Sequence, residues 1–130
     1  MSVFVDTSAV YALLDAGDTN HERALLATER LLGQELVTHS YVVVELVSLV
    51  RRRLGATAAA RLIDDVLPAI EVTDVDASLR SQALAAFRAA TESAVSLVDQ
   101  TSFEFMRRRG IRRAWAMDSD FATEGFDLEA

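Results

Sequence analysis

Apolar positions recur along the chain in two alternating rhythms. Short runs of β-branched and aromatic residues are bounded by polar turns. Between them lie longer segments whose apolar residues fall three and four apart. The short runs predict strands over 2–5, 35–38, 70–73 and 113–117, and a fifth over 126–128. The longer segments predict helices over 9–14, 20–32, 40–54, 57–67, 76–90 and 96–109. Asp15-Ala16-Gly17-Asp18, Gly33, Gly55 and Pro68 fall at their ends, where turn and breaker residues belong. Strands separated by helices require right-handed parallel crossovers. The expected fold is therefore α/β: a three-layer α/β/α sandwich around a mostly parallel sheet of four to five strands. No repeat or linker interrupts the pattern, so residues 1–130 are expected to form one domain.

Composition narrows the chemistry. The 130 residues carry 13 basic and 20 acidic side chains, a net charge of −7, with 51% hydrophobic residues. With no cysteine, thiolate metal sites and thiol nucleophiles are excluded. Every cation is an arginine, which excludes a phosphate-loop lysine, a Schiff base and a lysine general base. Carboxylates, hydroxyls, two histidines and arginines remain. The start, Met1-Ser2-Val3-Phe4-Val5-Asp6, has no basic leader pattern, and no run of about 20 apolar residues occurs, so a cytoplasmic protein without a membrane segment is expected. An acidic chain does not attract nucleic acid in bulk, so positive charge for phosphate must be supplied at a site.

Four acids stand out by position. In a parallel sheet the functional rim lies at the carboxyl ends of the strands. The first strand runs into Asp6-Thr7-Ser8 and the fourth into Asp118-Ser119-Asp120. If those strands are neighbours, Asp6 and Asp118 share a rim. Glu45 interrupts the apolar run Val42-Val43-Val44-Glu45-Leu46-Val47, where an acid is expected to be partly buried and therefore paired or metal-bound. Asp99 lies in the first turn of Ser96-Leu97-Val98-Asp99, where it serves equally well as the third position of a capping box. Four converging carboxylates without a lysine repel one another by up to ~4 kcal/mol per pair at 4 Å and an effective dielectric near 20. A hard divalent cation, Mg²⁺ or Mn²⁺, relieves that repulsion and supplies the missing positive charge.

Val5-Asp6-Thr7-Ser8-Ala9, Val44-Glu45-Leu46, Ser96-Leu97-Val98-Asp99 and Met117-Asp118-Ser119-Asp120-Phe121, in that order, resemble the signature segments of PIN-domain ribonucleases. The likeness is nearest to the small VapC-type toxins and extends to Glu124-Gly125-Phe126. It implies a metal-dependent endoribonuclease that hydrolyses RNA phosphodiesters by metal-activated water, usually a homodimer held in check by a small antitoxin protein. On this likeness Asp6, Glu45, Asp99 and Asp118 are the catalytic acids. Asp6 and Asp99 would be direct metal ligands, Asp118 a direct or water-mediated one, and Glu45 would act through water or orient the nucleophile. Thr7 and Ser8 would support the first carboxylate by hydrogen bonding, and Asp120 occupies a position where relatives carry various polar residues.

Two arginine groups are the candidates for RNA contact: Arg51, Arg52 and Arg53, and Arg107, Arg108, Arg109, Arg112 and Arg113. Both precede or flank a glycine at a helix end, where complementing the helix dipole explains them as well. His21 and His39 have no partner pattern for nucleophilic catalysis, and Trp115 reads as core. An aspartyl phosphatase or phospho-receiver site would need a lysine. The remaining alternative is a PIN fold that binds RNA or protein without cutting.

Overall fold

The computed structural model describes residues 1–129. Five strands, β1 (Ser2–Val5), β2 (Glu35–His39), β3 (Glu71–Thr73), β4 (Arg113–Trp115) and β5 (Asp127–Leu128), form one sheet in the order β3-β2-β1-β4-β5. Every pairing is parallel. The chain builds outward from β1 through β2 to β3, then returns to the other side of β1 to lay down β4. That reversal opens a crevice between the carboxyl ends of β1 and β4.

Alternation along the central strands splits the core between two faces. Val3, Val5 and Trp115 point to one side, where they pack with Val10, Leu46 and Val50. Those residues come from α1 (Thr7–Leu14) and α3 (Ser40–Leu54), and α2 (His21–Arg30) and α4 (Ala56–Arg61) join the same layer. Phe4, Val37 and Ala114 point to the other side. There they meet α5 (Ala77–Ala89), α6 (Leu97–Arg109) and the short α7 (Asp120–Thr123) through Leu79, Phe103, Phe105, Met106 and Phe121. The expected three-layer sandwich results.

Several element ends differ from the sequence expectation, each for a local reason. α1 starts at Thr7 and not at residue 9, because Asp6 caps it through the Ser8 amide. The helix expected over 57–67 is α4 followed by a π-helical turn, Leu62–Val66, and a 3-10 turn, Leu67–Ala69. Pro68 has no N–H to give the Asp64 carbonyl, and its ring crowds that position, so the chain loosens ahead of it. β4 ends at Trp115 and not at 117, because the Met117 amide turns away from the ladder to the Ser8 hydroxyl at 2.9 Å. α7 falls outside the predicted helices. No helix among the described residues is long and apolar enough to cross a membrane.

Phe4 ties the sheet to the layer of α6 and α7: it is fully buried, with ring centroids 5.6 Å from His39, 5.8 Å from Phe105 and 6.0 Å from Phe121. Phe4→Ala is expected to cost roughly 3–5 kcal/mol of folding stability, read as a lower urea midpoint. A loss below about 1 kcal/mol contradicts this packing.

Candidate active site

The crevice between β1 and β4 is a cleft of about 510 Å³. Asp6, Glu45, Asp99 and Asp118 all line it, although 112 residues separate the first from the last. Each arrives from a different element. Asp6 ends β1 and caps α1, Glu45 projects from α3, Asp99 stands in the first turn of α6, and Asp118 follows β4.

Asp6 is the most enclosed, at 3% exposure. Its Oδ2 accepts from the Ser8 amide at 3.1 Å and from the Ser8 hydroxyl at 2.6 Å. Its Oδ1 is buried with no hydrogen-bond partner. The Ser8 hydroxyl in turn accepts from the Met117 amide, and the Asp6 amide donates to the Trp115 carbonyl at 3.0 Å. The ends of β1 and β4 are thus cross-linked immediately beside the acid. Ser8 gives the support expected of it. The Thr7 hydroxyl does not: it is buried without a partner, and Thr7 lowers the Asp6 carboxyl only through a backbone bond.

The capping-box reading of Asp99 is half right. Ser96 caps α6 by accepting from the Asp99 amide at 3.1 Å, but the Asp99 carboxylate makes no hydrogen bond among the described residues. It is free to face the cleft. Asp118 Oδ1 accepts from the Asp120 amide at 2.9 Å, folding the segment back on itself. Asp99, Asp118 and Asp120 consequently offer carboxylate oxygens within 4.8 Å of one another. Asp120, which sequence alone leaves without a role, belongs to the tightest acidic group, while Asp6 and Glu45 stand outside that trio in the same cleft.

The electrostatics follow from burial and like charge. Burial pushes the Asp6 carboxyl up to about 6, partly offset by the Ser8 bonds and reinforced by Glu45. Burial, and then the charges of Asp6, Asp118, Glu45 and Asp120, push Asp99 up to about 7. Asp120 is also raised, by burial first and then by Asp118. An unpartnered buried oxygen and clustered hard oxygen donors fit a divalent cation such as Mg²⁺ or Mn²⁺.

The arginines separate into two sets. Arg52 and Arg53 line the cleft. The second group lies elsewhere, and all of it but Arg112 is engaged. Arg107 pairs with Glu104 and Glu124, Arg108 with Asp76, and Arg113 with Glu129, while Arg109 donates to Thr73. Arg112 lines a separate groove with Met1 and Ser2, and Arg51 does not line the acidic cleft. His39 is fully buried, contacts Ser102 Oγ at 2.9 Å and accepts from the Val42 amide at 3.4 Å, a structural cap for α3. Burial lowers its imidazole to about 4. Sequence reasoning passed over Asp18, Asn20 and Ser48, which also line the cleft. Ser48 was findable, three residues from Glu45 on one face of α3.

Residues 3–125 match the PIN domain family model. The chain is 38% identical over 128 residues to the 23S rRNA-specific endonuclease VapC20 of Mycobacterium tuberculosis, covering 95% of each. The crystal structure of that Sarcin-Ricin loop cleaving toxin superposes with a TM-score of 0.82 over 95% of both chains. FitAcB from Neisseria gonorrhoeae and the DNA-bound VapBC of Salmonella typhimurium share the fold. Each is 16% identical, with TM-scores of 0.72 and 0.71, 98% of this chain covered and 96% and 97% of theirs.

The raised carboxyls make a signed prediction. Between the unfolded value of 3.8 and about 6 for Asp6, or about 7 for Asp99, the folded chain holds protons that the unfolded chain has released. Their contribution to stability is present below 3.8 and lost as pH rises through those values. His39 runs oppositely: its contribution is present above 6.5 and lost as pH falls toward 4. A variant comparison isolates the acids. Asp99→Asn is expected to raise the melting temperature of metal-free protein at pH 8 by roughly 3 °C or more, with the gain shrinking toward pH 4. A loss of stability at pH 8 contradicts the assignment.

Proposed function

The chain belongs to the PIN-domain family, and from that footing we propose that it is a divalent-metal-dependent endoribonuclease, the toxin of a toxin–antitoxin pair. The observation that carries this reading is the buried Asp6 carboxylate, one oxygen fixed by Ser8 and the other unpartnered, in the same cleft as Glu45, Asp99 and Asp118. A non-catalytic binding module has no need of such an arrangement.

Asp6 and Asp99 would hold the ion directly, Asp118 directly or through water, and the proximity of Asp120 supports it as a further ligand. Mg²⁺ or Mn²⁺ suits an all-oxygen set. A bound divalent cation lowers the pKa of water and offsets charge on the phosphoryl oxygens. Ser8 keeps the Asp6 carboxylate in one orientation, and Glu45 orients the attacking water. In-line attack forms a P–O bond to that water, which gives up a proton, and breaks the bond to the 3′ oxygen, which takes one up. One fragment keeps a 5′-phosphate, the other a 3′-hydroxyl, and the 2′-hydroxyl is not consumed.

The relative's specificity makes 23S ribosomal RNA the first substrate to test. A small antitoxin protein as partner, a homodimer and a cytoplasmic location complete the proposal, with residues 1–130 acting as one domain.

Purified protein incubated with ribosomal RNA and Mn²⁺ is expected to cut it, leaving 5′-phosphate and 3′-hydroxyl ends on sequencing. A chelator should abolish cutting, and Asp6→Asn or Asp99→Asn should slow it more than about a hundredfold, beyond the usual cost of losing an outer partner of a metal ligand. Cleavage that persists with chelator, or that leaves 2′,3′-cyclic ends, rules the mechanism out.

A further inference from the structure

We propose that Arg52 and Arg53 form a docking site for the RNA backbone at the end of the α3 wall of the cleft, with Arg53 held in place by Tyr11 and Asp15. The inference rests on the nuclease reading and adds the residues that hold the strand.

α3 turns one face to the cleft: Glu45, Ser48, Leu49 and Arg52, at spacings of three, four and seven. Seven residues of helix set Arg52 about 10 Å further along the axis than Glu45. A guanidinium there meets a phosphate next to the one facing the acids. Arg53 follows on the same rim. Its guanidinium lies 5.6 Å from the centroid of the Tyr11 ring. Tyr11 is itself anchored: the residue is 8% exposed, packs in the core, and its hydroxyl donates to Asp15 Oδ2 at 2.8 Å. A cation within about 6 Å of a ring centroid is held by the ring's negative face, and a guanidinium carries five N–H donors, so donors beyond any given to Tyr11 remain for a phosphate.

Neither arginine has a carboxylate within 4.0 Å among the described residues, whereas Arg30, Arg107, Arg108 and Arg113 do. Complementing the α3 dipole explains a cation at the helix end. It does not explain a ring anchored by Asp15 beneath Arg53, nor two unpaired arginines on the rim of an acidic cleft. A polyanion that brings several phosphates at once is the occupant that uses both ends: the acids, with a divalent cation bound, would take one phosphate, and the arginines take its neighbour.

The test is binding of a single-stranded RNA oligonucleotide, by fluorescence anisotropy across a salt series, in an Asp99→Asn background that does not cut. Arg52→Ala/Arg53→Ala is expected to weaken binding about tenfold and to reduce the slope of log affinity against log salt by about 1.4, two lost phosphate contacts. Arg80→Ala/Arg88→Ala removes the same charge from exposed sites on α5 and should leave the slope unchanged. Tyr11→Phe keeps the ring but loses the bond to Asp15, and should weaken binding about threefold with an unaltered slope. If the double alanine variant fails to melt cooperatively, the single variants Arg52→Gln and Arg53→Gln should each reduce the slope by about 0.7. An unchanged slope, an equal loss in the α5 control, or no binding by the parent overturns the inference. Cleavage by the unsubstituted protein is scored separately: if it cuts RNA but the slopes do not move, only the arginine site falls. If it does not cut, the nuclease reading falls while the slopes still judge the arginines.

Discussion

One hydroxyl holds the site together. Ser8 Oγ donates to Asp6 at the end of β1 and accepts from the amide of Met117 just beyond β4. With the bond from the Asp6 amide to the Trp115 carbonyl, it fixes two chain segments more than 100 residues apart into one rim. Everything downstream depends on that join. It stops β4 at Trp115, releases Met117 and Asp118 toward the cleft, and presents one Asp6 oxygen while immobilising the other. Parallel pairing of Val5 with Trp115 brings the strand ends level, but a ladder alone would carry the fourth strand onward and aim Asp118 elsewhere.

The cleft concentrates charge against the interest of the folded state. Carboxylate oxygens within 4.8 Å of one another repel by about 3–4 kcal/mol per ionised pair at an effective dielectric near 20. The protein relieves part of this by holding protons: Asp99 and Asp6 titrate well above the ordinary carboxylate range, for reasons of burial first and like charge second. No lysine stands ready to neutralise them, and at the end of α6 Arg107 and Arg108 are committed to Glu104, Glu124 and Asp76 and Arg109 to Thr73. The strain is local, carried by a core that is apolar on both faces of the sheet.

Much of this was legible in residue order. Alternating short and long apolar rhythms gave the strands, the helices and the three-layer arrangement, because burial on a sheet face or helix stripe imposes a period that side chains cannot hide. Asp6 and Asp118 were readable from their places after strands, and Glu45 from its apolar neighbours. Pro68 marked an end but not the π-helical loosening before it, since that depends on which carbonyls find other donors. The Thr7 hydroxyl looked equivalent to that of Ser8, and only the folded geometry decides that the Ser8 hydroxyl reaches Asp6 while that of Thr7 is buried without a partner. Asp120 looked optional until the turn at Asp118 folded it onto Asp99.

The sequence by itself determined the kind of chemistry available and the order of the elements that carry it, because composition and periodicity are properties of the chain taken locally. Which acids meet, which arginines are free and which are tied down was decided by the tertiary structure. Those outcomes depend on distances between groups far apart along the chain, set by strand order and register, and charge interaction and desolvation act through space without regard to sequence separation.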